Sequence, residues 1–299
     1  MEKYDVKPVD VNDMTREYID SIMIEERLID AVLPSIKVNI FGEEFDTPIM
    51  TPAFSHMHAK NEDEEDPMVA YSRAAKECNA VNWVGMEPNE IVGKMLETGA
   101  RTIRIIKPFA DHSIIRDQMA FAEEHNAFAL GIDIDHVFGY NGAYDVCDGY
   151  QMGPITQQSI REFVQATDLP FVIKGVLSVH DALKCADCGV KGIVVSHHHG
   201  RLPSAVPPLM VLPDIADALK GSGIQIFADC HIDSGVDAFK AIALGADAVS
   251  VGRAMMRGLS AEGAQGVVKK IKSMNTELIT VMGYTGFSKV KDIEPSVLW

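Results

Sequence analysis

The chain has 299 residues, of which 47% are hydrophobic, and its formal net charge at pH 7 is −16. Such an acidic chain argues against nucleic acid and anionic membranes as partners, because both carry negative charge. No apolar run approaches the ~18 residues of a membrane span, and the N-terminus lacks the apolar region of a signal peptide, so we expect a cytoplasmic protein with a small-molecule partner.

The N-terminal region, about residues 1–47, is predicted to be an extension of the main body. Residues 14–30 carry apolar side chains at mixed three- and four-residue spacing, which predicts a helix packed outside that body. Alternation around Val38 and Ile40, followed by Gly42, predicts a small hairpin that caps the bottom of a barrel.

From residue 48 onward, strand and helix patterns alternate. Strands are predicted at 48–54, 80–85, 101–108, 127–135, 170–176, 192–199, 224–230 and 248–253. Helices are predicted at about 67–78, 89–99, 111–125, 156–167, 178–189, 210–219, 234–245 and 261–282. Eight such pairs predict a (β/α)8 TIM barrel that uses residues 1–299 as a single domain. A doubly wound open sheet is the alternative, but the chain has no GxGxxG after an early strand.

Polar residues gather where the predicted strands end, which is where barrels bind ligands. Asp133 and Asp135 are two apart on one strand and should therefore share a face. His198 with Asp133 as its acidic partner has the composition of a general base. Arg253 and backbone amides after the last strand are placed to bind phosphate, and Lys174 can stabilise an anionic ring. Together these residues suggest proton abstraction beside an electron-accepting cofactor.

Two stretches then resemble a known family: VIKGVLSVHDALKCADCGVKGIVVSHHHGR and DAFKAIALGADAVSVGRAMMRGLSAEGAQGV. Both are similar to segments of the FMN-dependent α-hydroxy acid oxidases and dehydrogenases. The resemblance implies FMN as cofactor, His198 as base with Asp133 orienting it, Lys174 near the flavin N1, and substrate contacts from Arg201 and Lys107. It also implies a homo-oligomer, either a tetramer or an octamer, and an FMN site made of Thr51, Pro52, Ala53, Lys174, Ser196, Asp229, His231, Gly252 and Arg253.

The chain departs from the family pattern at several positions. His197 and His199 flank the base where the family has Asn and Gly, and Asp233 stands where it has a phosphate-binding Arg. The family's Gln and Tyr of the third strand appear as Ile105 and Lys107. We therefore expect Asp233 to turn away and cap the helix that follows, FMN to bind weakly, and the substrate to differ from a simple hydroxy acid.

The sequence leaves three functions open. The first is FMN-dependent oxidation of a 2-hydroxy acid or related carbinol to the keto product. The second is a metal-dependent lyase or hydrolase that uses His197, His199 and His231, although consecutive histidines on a strand point to opposite faces. The third is a flavin-binding protein without turnover. We predict no metal site, and we attribute the Cys185 and Cys188 pair to helix packing.

Overall fold

The computed structural model describes residues 10–57 and 65–299. The strands, in chain order, are Val38–Ile40 (β1), Glu43–Phe45 (β2), Ile49–Met50 (β3), Asn82–Val84 (β4), Thr102–Ile106 (β5), Ala129–Asp133 (β6), Val146–Cys147 (β7), Tyr150–Gln151 (β8), Phe171–Val176 (β9), Gly192–Val195 (β10), Gln225–Ala228 (β11) and Ala248–Ser250 (β12). The helices are Val11–Ser21 (α1), Pro67–Glu77 (α2), Asn89–Glu97 (α3), His112–Glu124 (α4), Gln157–Gln165 (α5), Val179–Asp187 (α6), Pro208–Ala218 (α7), Gly235–Ala243 (α8) and Arg253–Tyr284 (α9).

Eight parallel strands among the described residues form the central sheet, which runs from β4 through β5, β6, β9, β10, β11 and β12 to β3. Its two edges approach each other, since the Thr51 amide donates to the Val81 carbonyl (3.2 Å) and the Gly85 amide to that of Phe54 (2.8 Å). Each barrel strand is followed by a helix. The predicted (β/α)8 barrel is therefore confirmed.

Side chains alternate between the two faces of each barrel strand, and this alternation produces two apolar layers. On β5, Ile103 and Ile105 belong to a cluster inside the barrel, whereas Ile106 belongs to the larger cluster between sheet and helices. The β1–β2 hairpin closes the bottom of this interior. Its Phe41 ring lies 5.8 Å from Phe128 and 5.9 Å from Phe227, measured between ring centroids. The prediction of a capping hairpin is confirmed.

The first helix is shorter than predicted. It ends at Ser21 because the backbone becomes extended at Ile22, where φ is −73° and ψ is 120°; Met23 is 65% exposed. Beyond the helix, the Met23 amide donates to the carbonyl of Trp299 (3.0 Å), so this segment runs beside the C-terminus. Residues 1–9 of the predicted extension lie outside the described residues.

The last helix is longer than predicted, because it begins at Arg253 rather than near residue 261. It is kinked at Glu262 and Gly263, where Gly263 takes a φ of 59°. A positive φ is costly for other residues and leaves the helical conformation, which explains a kink at glycine. No helix in the described ranges is long and apolar enough to cross a membrane.

Candidate functional site

A cavity of about 340 Å³ opens at the carboxyl ends of the barrel strands. Its walls include most of the residues expected at the site, namely Pro52, Ala53, Lys107, Asp133, Lys174, His198, Asp229, His231, Gly252 and Arg253. They meet there because each lies within or just after a parallel strand, and these strands all end at one edge. We call this cavity the central pocket.

His198 lines the central pocket and faces two carboxylates, of which Asp133 lines the same pocket and Asp135 the second cavity beside it. Its Nδ1 lies 2.6 Å from Asp135 Oδ1 and 3.2 Å from Asp133 Oδ2. The turn after β10 presents the ring, with a φ of 45° at His198 and its amide donating to Ser196 Oγ (3.1 Å). Burial and the Lys174 ammonium lower the pKa of His198, but the two carboxylates outweigh them and raise it above the ordinary value.

Two lysines supply positive charge to the same pocket. Lys174 is paired in register with Asp133 on the neighbouring strand, and its Nζ lies 3.7 Å from Asp229 Oδ2. Burial lowers the pKa of Lys174, but Asp229, Asp133 and Asp135 together raise it, so the side chain stays an ammonium. Lys107 Nζ donates to Asp133 Oδ2 at 2.7 Å.

The two aspartates have opposite pKa shifts. Burial raises the pKa of Asp133, but Lys107, His198 and Lys174 outweigh burial and hold it well below its usual range. Burial and then the neighbouring Asp133 charge raise the pKa of Asp135 to about 6. Oδ1 of Asp133 and Oδ2 of Asp135 are both buried without a hydrogen-bond partner. The expectation that these carboxylates share a face is confirmed.

The other side of the pocket is formed by the ends of β11 and β12. The helix α9 begins at Arg253 without a side-chain cap, and the guanidinium of Arg253 donates to Nε2 of His231 (2.7 Å). Asp233 is exposed on this rim. The expectation that Asp233 caps the following helix is wrong: Ser234 is the N-cap of α8, and Asp237 completes the capping box. A Ser in this position satisfies the same amides, so Asp233 is not needed.

Three expected site residues lie outside the central pocket. Thr51 is buried, and its hydroxyl donates to Asn82 Oδ1 (2.6 Å). Ser196 Oγ accepts a hydrogen bond from Lys174 Nζ at 3.4 Å. Arg201 lines a second cavity of about 730 Å³, where its guanidinium donates to Asp145 Oδ2 (2.6 Å) and His136 Nε2 (2.7 Å).

The histidines of the alternative metal site have other partners. His197 Nε2 lies 2.8 Å from the Thr15 hydroxyl, and His199 Nδ1 lies 2.7 Å from Asn12 Oδ1. In the part of the chain that the structure describes, neither of them nor His231 belongs to a group of three ligand atoms close enough to share an ion. The geometry therefore does not bring together the three histidines that the metal-dependent alternative uses.

Sequence reasoning missed Cys230. Its thiol donates to Asp229 Oδ1 (2.9 Å), and burial raises its pKa to about 12, so it stays protonated. Cys230 and His231 have φ values of 68° and 60°. The family that the sequence resembles has Gly at both positions. The sequence signal that could have identified this turn is therefore a pair of non-glycine residues where the backbone needs the left-handed conformation.

The residues of the central pocket fit FMN, the cofactor that the resemblance implies. Lys174 suits the electron-rich edge of the ring, and Asp229 can accept from ribityl hydroxyls. Arg253 and the uncapped amides of α9 suit the phosphate, and the space beside Gly252 is open. The Asp233 carboxylate on the same rim opposes a dianion.

Comparisons with known proteins agree with this fit. Residues 141–299 match the family model described as FMN-dependent dehydrogenase. The L-lactate oxidase of Roseobacter sp. (strain GAI101) is 36% identical over 53% of this chain and 43% of its own length. The 4-hydroxymandelate oxidase of Amycolatopsis orientalis is 43% identical over 47% of this chain and 39% of its own length.

These two alignments span less than half of each relative, but structural similarity extends further. A solved structure of a mandelate oxidase variant with (S)-mandelic acid has a TM-score of 0.85 and 26% identity, and the match covers 97% of this chain and 89% of that one. The family match spans more than half of the chain and includes Lys174, His198 and Arg253. The chain therefore belongs to the family of FMN-dependent dehydrogenases, oxidoreductases whose cofactor is FMN.

Proposed function

We propose that the protein oxidises a 2-hydroxy acid, or a related carbinol, to the keto product with FMN as electron acceptor. The observation that carries the proposal is the placement of the His198 imidazole beside two buried carboxylates in a pocket that also holds Lys174 and Arg253. The names of the relatives, which oxidise lactate, hydroxymandelate and mandelate, support the same class of substrate.

The oxidation removes two electrons and two protons from the substrate carbinol. Bound FMN supplies an acceptor for the two electrons and one proton. His198 accepts the other proton, and the resulting imidazolium is stabilised by the carboxylates beside it. The Lys174 ammonium is a fixed positive charge in the same pocket, where it would stabilise the negative charge that the flavin gains on reduction.

Substrate binding is assigned to Lys107 and, more distantly, to Arg201. Lys107 lines the central pocket, where its ammonium can attract a carboxylate in competition with Asp133. Arg201 is held by Asp145 outside this pocket, so a role in binding requires that it leave that carboxylate. The proposed FMN contacts are Pro52, Ala53, Asp229, His231, Gly252 and Arg253. Thr51 and Ser196 lie outside the central pocket and are proposed to support these contacts.

We also propose a single domain, a homo-oligomer and a cytoplasmic location. The β1–β2 hairpin packs into the barrel core, which supports one domain over residues 1–299. Ile29 and Leu33, which are 92% and 90% exposed, support contact with another copy of the chain. All five cysteines are free, as expected in a reducing compartment. Light scattering coupled to size-exclusion chromatography tests the oligomer.

The experiment that tests the function is anaerobic mixing of the FMN-loaded protein with L-lactate, (S)-mandelate and glycolate. Loss of the oxidised flavin absorbance with formation of the matching keto acid is expected with at least one of them. A stable flavin spectrum with every hydroxy acid tried would favour a flavin-binding protein without turnover. Stoichiometric metal in a colourless protein would favour the lyase or hydrolase.

A further inference from the structure

Two carboxylates compete for one proton of His198. Nδ1 of an imidazole carries at most one hydrogen, and it lies closer to Asp135 Oδ1 (2.6 Å) than to Asp133 Oδ2 (3.2 Å). The family resemblance assigns the orienting role to Asp133. The distances instead give the shorter hydrogen bond, with the better acceptor geometry, to Asp135.

The charge of Asp133 is partly offset by Lys107. The oxygen that faces His198, Oδ2, is also the acceptor for Lys107 Nζ at 2.7 Å, and both side chains are at most 10% exposed. An ammonium paired with a buried carboxylate offsets part of the charge that this carboxylate presents to a third group. Lys107 therefore reduces, without removing, the Asp133 charge that acts on His198.

No lysine or arginine of the described residues forms an ion pair with Asp135, although the Lys174 charge acts on it from a longer distance. Its only ion pair within the described ranges is with His198. The carboxylate lies against Gly175 of β9, where a Cβ would come within 2.5 Å of Oδ2. Gly175 has a φ of 93°, and the β9–β10 register shifts beside it. A glycine bulge thus makes the room that this carboxylate occupies.

We propose that Asp135, rather than Asp133, is the positioning residue for His198. It holds the imidazole with Nε2 toward the central pocket and compensates the charge that the ring gains when it accepts the substrate proton. Asp133 instead fixes Lys107 in the pocket. This assignment rests on the proposed function for its catalytic meaning, whereas the pairing itself can be measured without substrate.

The test compares Asp135→Asn with the double variant Asp133→Asn/Lys107→Met in FMN-loaded protein. The double variant removes the ion pair as a unit, so no lysine charge is left unpaired beside the histidine. NMR titration of labelled histidines, with His198→Gln to assign the signal, gives the pKa of His198. We expect Asp135→Asn to lower it by at least about one unit and the double variant to shift it by less than half as much.

Flavin reduction by (S)-mandelate and L-lactate is the second measurement. Asp135→Asn is expected to slow it by about 10²- to 10⁴-fold and to move its pH dependence with the titration of His198. An equal or larger pKa shift in the double variant, or none in either, overturns the proposal. If neither hydroxy acid reduces the wild-type flavin, the NMR result still decides the pairing while the proposed function fails. Asp135→Ser replaces Asp135→Asn if the latter does not fold.

Discussion

Asp233 is the acidic residue on the rim where the phosphate of FMN is expected. Its side chain is exposed and makes no hydrogen bond or ion pair with any other described residue, while its amide and carbonyl are held by Asp237 and Lys270. Replacement of the side chain therefore leaves the local backbone bonds intact. Because Ser234 caps α8, no cap is lost. The variant Asp233→Arg should change the charge at this rim and little else.

The expected result is tighter FMN binding. A charge-assisted hydrogen bond contributes about 1.5 to 3 kcal/mol, which corresponds to roughly a 10- to 150-fold lower Kd. Part of that gain is removal of the repulsion between two negative groups, and Asp233→Asn measures this part alone. Salt should weaken the effect, since the rim is exposed.

The assay is titration of the apoprotein with FMN, followed by quenching of flavin fluorescence. Asp187→Arg is the matched control, because Asp187 is an exposed acid at the end of α6, outside the central pocket, and the net charge changes equally. A Kd that is unchanged in Asp233→Arg, or lowered equally in Asp187→Arg, would show that the phosphate does not lie at this rim.

Three further outcomes follow from the site. His198→Ala should slow flavin reduction by about 10²-fold or more while FMN stays bound; reduction at the wild-type rate would exclude His198 as the base. Arg201→Lys should raise KM for hydroxy acids by about threefold or more, because Lys keeps the charge but cannot form the bidentate contact with a carboxylate, and should increase hydrogen exchange in residues 138–151 because it cannot keep both contacts of Arg201; an unchanged KM with increased exchange would limit Arg201 to holding the loop that carries Asp145. Burial lowers the pKa of His197 to about 4, below its unfolded value, so folding stability should be lost as pH falls from about 6.5 toward 4. Urea unfolding should show that His197→Gln reduces the stability loss between pH 7.5 and 5 by about 2 kcal/mol, with His136, whose pKa is also lowered to about 4, still contributing in both proteins; an equal loss in wild type and variant would assign the effect to other groups.

The barrel could be predicted from the sequence because apolar periodicity is a local property. Each strand is a short run of Val, Ile and Phe that must be buried on both faces, and each helix repeats at its own period. The end of α1 at Ser21 could not be predicted in this way. Residues after Ser21 leave the helix to pair with the C-terminal segment, a contact across most of the chain.

The site was predictable in composition but not in pairing. Strand ends identify which side chains meet, and for this reason Lys174 and His198 were placed correctly in the pocket. Which carboxylate an imidazole contacts depends on differences below 1 Å, as the distances to Asp135 and Asp133 show. The position of Arg201 outside the central pocket was not predictable for a related reason: its partner Asp145 lies in the long loop after β6, whose path no local pattern specifies.

The central pocket holds its two lysines in pairs with acids, and this limits what can bind there. Lys107 faces Asp133, and Lys174 faces Asp229. An anionic substrate must therefore compete with a resident carboxylate for any lysine that it uses. Because Asp133 lies between Lys107 and His198, a substrate carboxylate that draws Lys107 away would leave more of the Asp133 charge facing the imidazole. Binding of the substrate carboxylate and basicity of His198 are thus coupled through Asp133. This coupling explains how a pocket whose lysines are already paired with acids can still serve an anionic substrate.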